Sequence, residues 1–193
     1  MTNTHRIGLT GAAGYIGSRV LQNLREIGHE VVAIDDFSSA QIDADEFDID
    51  DADVRNESTL VDHFSEVDIL LHLAAESGVQ ACDADPHHAF DVNVRGTETV
   101  AWFCRQNDTP LVFPCSMAII GEPVELPITA DHPREPINTY GLTKKMSEDD
   151  IHDLARGHYP AHVYMKSNLY GHHEVGDECV GKRTVINVFV ERA

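Results

Sequence analysis

A glycine-rich turn between a short apolar strand and an amphipathic helix is the feature that most restricts how this chain folds. Residues 10–17 are Thr-Gly-Ala-Ala-Gly-Tyr-Ile-Gly, with three glycines spaced three residues apart. We expect Gly11 to make the tight turn, Gly14 to let the backbone approach a phosphate, and Gly17 to let the helix pack closely on the strand. The spacing differs from the commonest Gly-x-Gly-x-x-Gly fingerprint. Its place at the first strand–helix junction still predicts a phosphate-binding turn, because a helix N-terminus presents free N–H groups to an anion.

An aspartate at the end of the second predicted strand indicates which dinucleotide this turn serves. Residues 31–34 are Val-Val-Ala-Ile, and Asp35 follows them. An acidic residue about 20 positions beyond the glycine turn accepts hydrogen bonds from the adenosine ribose and repels a 2′-phosphate. We therefore expect NAD rather than NADP as the cofactor.

Strand and helix signals alternate along the chain. The predicted strands are 6–10, 30–35, 67–74, 110–115 and 161–166, and the predicted helices are 15–27, 59–66, 86–106 and 138–155. The acid-rich stretch 43–53 is expected to be a solvated loop, with room for one short strand. This alternation predicts an α/β fold, a doubly wound parallel sheet (Rossmann fold), in a single domain over residues 1–193.

A tyrosine and a lysine stand four residues apart at the start of the last predicted helix. Tyr140 and Lys144 share one face of such a helix, so we expect the ammonium group to lower the pKa of the tyrosine from about 10 toward neutrality. A tyrosine tuned in this way can exchange a proton with a sugar hydroxyl. The preceding strand leads into Ser116, which is expected at the same carboxyl edge of the sheet, where ligands bind in open α/β sheets.

Seven stretches of the sequence together resemble the extended short-chain dehydrogenases/reductases, specifically the NAD-dependent nucleotide-sugar epimerase/dehydratase family. The stretches are residues 10–17, 53–55 (Asp-Val-Arg), 72–75 (His-Leu-Ala-Ala), 93–97 (Asn-Val-Arg-Gly-Thr), 113–116 (Phe-Pro-Cys-Ser), 140–144 (Tyr-Gly-Leu-Thr-Lys) and 167–171 (Ser-Asn-Leu-Tyr-Gly). They follow the order of the family over nearly the whole chain.

The resemblance assigns roles to individual residues. Tyr140 is implied as the acid/base, Lys144 as the residue that tunes it and holds the nicotinamide ribose, and Ser116 as the hydrogen-bond partner of the reacting oxygen. Asn93 is implied to brace the active site, and the helices carrying Asn93 and Tyr140 are implied to form a homodimer interface. The expected cofactor contacts are Gly11, Ala13, Gly14, Tyr15, Ile16, Gly17, Asp35, Asp36, Asp53, Val54, Leu73, Ala74, Ala75, Asn93, Tyr140 and Lys144. The expected substrate contacts are Ser77, Ser116 and Asn168.

The residues that follow Ser116 bear on the reaction. Dehydratases of this family have an Asp-Glu pair there, which removes a proton and expels water. This chain has Met117 and Ala118, which can do neither, so elimination is disfavoured. Epimerisation of a nucleotide sugar, in which hydride leaves a sugar carbon and returns, needs only the cofactor and the Ser–Tyr–Lys set. Ile120 and His172 replace a Tyr and a Pro usual in the family, which leaves the identity of the sugar open.

Two other functions remain compatible with the sequence. One is an NAD-dependent dehydrogenase that acts on a free sugar or uronic acid. The other is an NAD-binding module without turnover. Family members continue into a smaller C-terminal lobe that grips the nucleotide or sugar, whereas residues 188–193 resemble a family helix without a stop signal. We therefore expect the substrate lobe to be absent or truncated.

Acidic residues dominate the charge of the chain. It has 33 Asp and Glu against 14 Lys and Arg, for a net charge of −19 at pH 7. In molar salt the Debye length falls to about 3 Å, which screens the resulting self-repulsion and favours a halophilic source. The absence of a basic stripe argues against a nucleic-acid partner.

Several further classes are disfavoured by the sequence. The apolar runs are too short to span a bilayer, and the N-terminal residues do not have the pattern of a signal peptide. The four cysteines are scattered, as expected in a reducing compartment, so we expect a soluble cytoplasmic protein with no membrane partner. The twelve histidines show no His-Glu-x-x-His spacing, so no metal site is expected.

Overall fold

Six parallel strands form the centre of the computed structural model, which describes residues 4–182. Their order is β3-β2-β1-β4-β5-β6. The chain therefore adds β2 and β3 on one side of β1, and then β4, β5 and β6 on the other side. This is the strand order of the Rossmann fold, and it confirms the predicted doubly wound sheet. A separate antiparallel hairpin, β7-β8, follows the last parallel strand.

The elements in chain order are β1 (Arg6–Thr10), α1 (Tyr15–Glu26), β2 (Glu30–Asp35), α2 (Ala44–Phe47), β3 (Asp50–Asp51), α3 (Glu57–Phe64), β4 (Ile69–His72), α4 (Val79–Ala84), α5 (Pro86–Phe90), a π-helical turn (Asp91–Arg95), α6 (Gly96–Asn107), β5 (Leu111–Ser116), a 3₁₀ turn (Met117–Ile119), α7 (Thr139–Ala155), β6 (Ala161–Lys166), β7 (His172–Val175) and β8 (Glu178–Gly181). Among these residues, every helix is too short or too polar to cross a bilayer. The C-terminal helix expected at 188–193 lies outside the described residues.

Apolar side chains cover both faces of the sheet, as expected for parallel strands that helices flank on either side. One core cluster joins the sheet to α3, α6 and α7 and contains Phe64, Phe103 and Phe113, all fully buried. The second cluster lies under α1 and includes Leu21, with the hairpin adding Val180. Burial of each such large side chain contributes about 1.5–3 kcal/mol relative to exposure. The two core clusters therefore hold the sheet in place, including the carboxyl ends of the strands that carry the site.

Two predicted segments differ from the structure. The stretch 43–53 contains the short strand β3, for which the prediction left room and which pairs with the end of β2. It also contains the short helix α2, capped by the Asp43 carboxylate, where a loop was expected. The helix predicted over 86–106 is present without a break over 86–107, but it is not α-helical throughout. A π-helical turn lies between α5 and α6, and this turn carries Asn93. Helical periodicity does not reveal such a turn, since one inserted residue changes the register only locally.

Nearly all acidic side chains of residues 4–182 point to solvent. Only Asp35 and Glu148 are buried. Glu148 is neutralised by Arg134, whose Nη2 lies 3.3 Å from its Oε1. The large negative charge is therefore a surface property, and ions in the solvent can screen it.

We expect the thermal stability of this chain to rise with salt. Raising NaCl from about 0.05 M to about 1 M shortens the Debye length to about 3 Å and relieves repulsion between surface carboxylates. About 1 kcal/mol of relieved repulsion raises Tm by about 2–4 °C in a chain of this size. Thermal denaturation followed by circular dichroism measures the effect, and a parallel sucrose series controls for general solute exclusion. A Tm that stays constant or falls with NaCl contradicts the prediction.

Candidate active site

A cavity of about 320 Å³ opens at the carboxyl edge of the parallel sheet. Its wall brings together most of the residues expected to contact the cofactor. Those that line it are Gly11, Gly14, Tyr15, Ile16, Gly17, Asp35, Asp36, Asp53, Val54, Leu73, Ala74, Ala75, Tyr140 and Lys144. Ser77, which is expected to contact the substrate, also lines it. Ala13, Asn93, Ser116 and Asn168 are not part of this wall.

The three glycines of the turn each meet a different steric requirement. Gly11 has a φ of +69°, a left-handed conformation that favours glycine, and a Cβ there would lie 2.5 Å from the Ala74 nitrogen. A Cβ on Gly17 would lie 1.9 Å from the Gly11 carbonyl oxygen, so only glycine lets α1 approach the turn this closely. A Cβ on Gly14 would meet nothing closer than that oxygen, at 3.5 Å, which leaves space on the cavity side.

The N-terminus of α1 can hold an anion. Gly14 is its N-cap and provides no side-chain cap, and the first turn contains no acidic residue. The backbone N–H groups of a first helical turn and the positive end of the helix dipole favour a phosphate at such a position. The open space at Gly14 and the uncapped N-terminus therefore fit the pyrophosphate of a dinucleotide.

The Asp35 carboxylate is anchored at the end of β2. Its Oδ2 accepts a hydrogen bond from the Ala13 nitrogen and its Oδ1 accepts one from the Phe37 nitrogen, both at 2.9 Å. Burial raises the pKa of Asp35, and these two backbone donors oppose the rise. Ala13, expected among the cofactor contacts, is instead fully buried and orients Asp35 through its backbone. The cavity thus has an acidic group at the position expected for the ribose.

A second carboxylate on the wall is bound to an arginine. Asp53 accepts hydrogen bonds at 2.9 Å from both the backbone nitrogen and Nε of Arg55, which lower the pKa of Asp53. Arg55 Nη1 also donates to Asp91 at 2.6 Å. Arg55 itself lines the cavity, a position that the sequence analysis did not assign to it. The ion pair holds the end of β3 against the π-helical turn.

A buried histidine connects β1 to β4 beneath the cavity. The Thr10 hydroxyl oxygen accepts from the backbone nitrogens of Leu73 and Ala74, both at 3.2 Å, so its own proton is directed to His72 Nδ1 at 2.8 Å. His72 Nε2 then donates to Thr97 Oγ1 at 3.1 Å. Burial, followed by the charge of Lys144, lowers the pKa of His72 to about 3, which keeps the ring neutral. The sequence motif marked His72 but not this network.

Tyr140 is buried, and its environment corrects the pKa predicted from the sequence. Burial raises the pKa of the phenol, and a hydrogen bond with Ser116 partly opposes the rise. The expected lowering by Lys144 does not occur, because the dry surroundings of the phenol have the larger effect. The tyrosine packs against Cys82 and Ala89.

The catalytic trio expected from the sequence converges through close backbone packing. A Cβ on Gly141 would lie 2.4 Å from the Ala118 carbonyl oxygen, so glycine after Tyr140 lets α7 approach the turn that follows Ser116. Asn138 caps α7 by accepting from the Gly141 nitrogen at 2.8 Å. Ser116 is thereby brought within hydrogen-bond distance of Tyr140, although Ser116 itself does not line the cavity.

Lys144 lies one helical turn beyond Tyr140 and is buried. Its Nζ lies 4.8 Å from the centroid of the Phe113 ring, a cation–π contact, and His72 stacks on the same ring at 5.8 Å between centroids. Burial lowers the pKa of Lys144 to about 8, and the charge of Lys166 acts in the same direction. The ammonium group is thus held by an aromatic face at the cavity wall.

Asn93 braces the site and does not line the cavity. Its Nδ2 donates to the Glu76 carbonyl oxygen at 3.1 Å and to Thr143 Oγ1 at 3.0 Å. The backbone carbonyl oxygen of Asn93 accepts a hydrogen bond from the Ser147 hydroxyl at 2.8 Å. The π-helical turn directs the side-chain amide to α7, and a contact between Asn93 and the cofactor stays a prediction. Asn168 also lies apart, exposed beyond β6 and away from the cavity wall.

Two lysines on the cavity wall were missed by the sequence analysis. Lys166 ends β6, as Asp35 ends β2, so its position was available from the strand prediction. Lys182 follows the unpredicted hairpin and therefore had no signal in the local sequence. Within residues 4–182, no group of three or more His, Cys, Asp or Glu side chains has the geometry of a metal site.

Comparison with known proteins agrees with the resemblance noted in the sequence. Residues 7–193 match the model of the NAD dependent epimerase/dehydratase family. A putative UDP-glucose 4-epimerase of Methanocaldococcus jannaschii is 29% identical over 190 residues, which cover 95% of this chain and 61% of the relative. The UDP-glucose 4-epimerase of Azospirillum brasilense is 34% identical over 161 residues, which cover 79% of this chain and 45% of the relative.

A solved structure supports the same assignment. The UDP-glucose 4-epimerase of Brucella ovis in complex with NAD superposes with a TM-score of 0.81 at 28% identity, over 87% of this chain and 53% of that one. The chain therefore spans about half to three fifths of the length of these relatives. The family match confirms the predicted NAD dependence.

Two glycine substitutions separate folding from cofactor binding. We expect Gly17→Ala to lower the free energy of unfolding by about 2 kcal/mol or more, because its methyl group collides with the Gly11 carbonyl. Gly14→Ala should keep stability within about 0.5 kcal/mol of the original, since Gly14 has a φ of −78° and room for a methyl group. The same methyl group occupies the phosphate space, so NAD affinity should fall about tenfold or more.

Urea denaturation and calorimetric titration with NAD measure the two effects. Gly14→Ala serves as the folding control for Gly17→Ala. If Gly14→Ala binds NAD as tightly as the original chain, the pyrophosphate does not lie against Gly14.

Proposed function

The chain belongs to the NAD dependent epimerase/dehydratase family, and from this membership we propose that it epimerises a hydroxyl-bearing carbon of a nucleotide sugar. One observation carries the proposal. Tyr140 and Lys144 lie on the wall of the same cavity as the glycine turn and Asp35. A proton-transfer group and a dinucleotide-binding turn thus face one another across a shared space.

The residues that would hold NAD occupy the wall from the glycine turn to α7. The pyrophosphate belongs at the N-terminus of α1, the adenosine ribose at Asp35, and the adenine beside Asp53 and Val54. Lys144 would hold the nicotinamide ribose. When bound, NAD supplies the hydride acceptor and donor for a sugar carbon.

The protein residues handle the proton and the orientation of the sugar. Tyr140 takes the proton of the reacting hydroxyl and returns it when the carbon is reduced again. Ser116, hydrogen-bonded to Tyr140, orients the reacting oxygen. The ammonium group of Lys144 stabilises the developing negative charge in a site from which water is largely excluded. Ser77 and Asn168 are proposed to contact the sugar or its nucleotide.

The turn after Ser116 supports epimerisation over elimination. Met117–Ile119 form a 3₁₀ turn in which the Ser116 hydroxyl accepts from the Ala118 nitrogen at 3.2 Å. Elimination of water needs an acid and a base beside the reacting carbon, and the side chains of Met117 and Ala118 provide neither. Hydride return to the opposite face of the same carbon requires no further titratable group at this turn.

The proposal extends to the assembly and the location of the protein. The helices α6 and α7 pack against each other and leave Trp102, Leu142 and Met146 exposed. These side chains support a homodimer in which the two helices meet their counterparts in a second copy. We place the enzyme in the cytoplasm of a halophilic cell, the setting that its cysteine usage and net charge favour.

We expect Tyr140→Phe to lower the epimerisation rate by about 10²–10⁴-fold, because the proton-transfer group is lost. NAD affinity should stay within about twofold, since the ring and its packing remain. Tyr159→Phe is the matched control: Tyr159 is also buried, but its hydroxyl has no hydrogen-bond partner among residues 4–182 and it lies outside the cavity wall. The rate is measured with UDP-glucose or UDP-galactose and saturating NAD in molar salt.

Three outcomes decide between the functions. Loss of activity in Tyr140→Phe with retention in Tyr159→Phe supports the proposal. Full epimerase activity in Tyr140→Phe contradicts it. Net NADH release with a free sugar or uronic acid, and none with nucleotide sugars, contradicts it in favour of a dehydrogenase.

A further inference from the structure

The lysines of this acidic chain are concentrated in one place. The sequence contains only four lysines, and three of them, Lys144, Lys166 and Lys182, line the cavity. The fourth, Lys145, points outward from α7 and pairs with Asp149 at 2.7 Å. Three of the four lysines in a chain with a net charge of −19 thus lie on the wall of the proposed active site, together with the carboxylates of Asp35, Asp36, Asp53 and Glu76.

Lys166 lies beside the proton-transfer residues. It ends β6 and is directly in register with Ser116 of the neighbouring strand, so both residues reach the same edge of the sheet. The side chain is half-buried. Among residues 4–182, no carboxylate lies within ion-pair distance of Lys166, which leaves its charge uncompensated inside the cavity.

Lys182 reaches the cavity wall from the end of the hairpin. Its Nζ donates to the Ser77 hydroxyl at 3.1 Å. The hairpin is held in place by the Gly181 nitrogen, which donates to Gln41 Oε1 at 3.1 Å. The Glu76 carboxylate faces Lys182 and also approaches His88, at 3.9 Å.

The three ammonium groups influence one another. Partial burial lowers the pKa of Lys166, and the charge of Lys182 lowers it further. The charge of Lys166 in turn lowers the pKa of Lys144. Like charges held close together raise the free energy of a protein, and a bound anion relieves this repulsion.

We propose that Lys166 and Lys182, together with the Ser77 hydroxyl, form a diphosphate-binding site at the mouth of the cavity, separate from the N-terminus of α1. The proposal rests on the proposed function, in which the substrate is a nucleotide sugar. Two diphosphates enter such a cavity, one from the cofactor and one from the substrate. The N-terminus of α1 already fits the first, and Lys166 lies next to Ser116, so the lysine pair takes the diphosphate of the substrate.

Two charge-removing variants and a matched control test the site. Lys166→Met and Lys182→Met keep most of the side-chain length and remove the ammonium group, and Lys145→Met removes the same charge outside the cavity. Each protein is saturated with NAD and titrated with uridine diphosphate and uridine monophosphate by calorimetry. We expect Kd for the diphosphate to rise about tenfold or more in each cavity variant and to stay within twofold in Lys145→Met. The effect on the monophosphate should be smaller.

Separate NAD titrations identify the source of the diphosphate. If NAD affinity falls in the cavity variants while diphosphate affinity does not, the lysines serve the cofactor, and the assignment to the substrate is overturned. Diphosphate affinity that is the same in all variants, or no diphosphate binding by the original chain, also overturns it. Thermal denaturation of each variant shows whether it is folded. Because Lys182 follows the hairpin, Lys182→Met tests the site without a substitution in the parallel sheet.

The outcome can be separated from that of the epimerase assay. If uridine diphosphate binding depends on Lys166 and Lys182 but no nucleotide sugar is epimerised, the site stands and the proposed reaction fails. If epimerisation proceeds and the lysine variants bind the diphosphate normally, the reaction stands and the lysine site fails.

Discussion

The close approach of α1 to the turn that precedes it is the contact on which the site depends. With glycine at position 17, the helix backbone lies against the Gly11 carbonyl, and any side chain there would force the two apart. The same turn lies against the backbone of Ala74, at the point where β1 and β4 part to form the crevice of the sheet. The Thr10 hydroxyl secures this junction by binding the backbone of Leu73 and Ala74. Sheet, helix N-terminus and cavity wall are therefore positioned by one set of backbone contacts.

The surface of the molecule is acidic, whereas the cavity wall combines four carboxylates, Asp35, Asp36, Asp53 and Glu76, with Arg55 and three lysines. Surface carboxylates repel one another but are hydrated and open to screening by salt. Inside the cavity, burial acts more strongly than the neighbouring charges: it raises the pKa of Tyr140 and lowers those of His72 and Lys144. A phenol with a raised pKa holds its proton, so in the proposed reaction Tyr140 acts as a base only when positive charge near the phenol favours the phenolate.

Much of the fold was predictable because parallel strands and amphipathic helices leave periodic patterns in the sequence. The strands at Arg6–Thr10, Glu30–Asp35 and Ala161–Lys166 have the predicted bounds. The π-helical turn at Asp91–Arg95 was not predictable from periodicity, since its geometry follows from contacts with α7, fifty residues away in the chain. The hairpin was missed because neither of its strands alternates strongly enough to stand out from a loop.

The sequence alone determined the doubly wound sheet, the glycine-rich turn before α1, the acidic residue at the end of β2 and the place of Tyr140 and Lys144 on one helix. Each of these depends on residues close together in the chain. Tertiary structure alone decided that Asn93 braces α7, that Ala13 orients Asp35, that burial raises the pKa of Tyr140, and that three of four lysines meet in one cavity. The physical reason is that burial and charge at a site are sums over neighbours from distant elements. Local sequence patterns specify the elements but not which side chains those elements bring together.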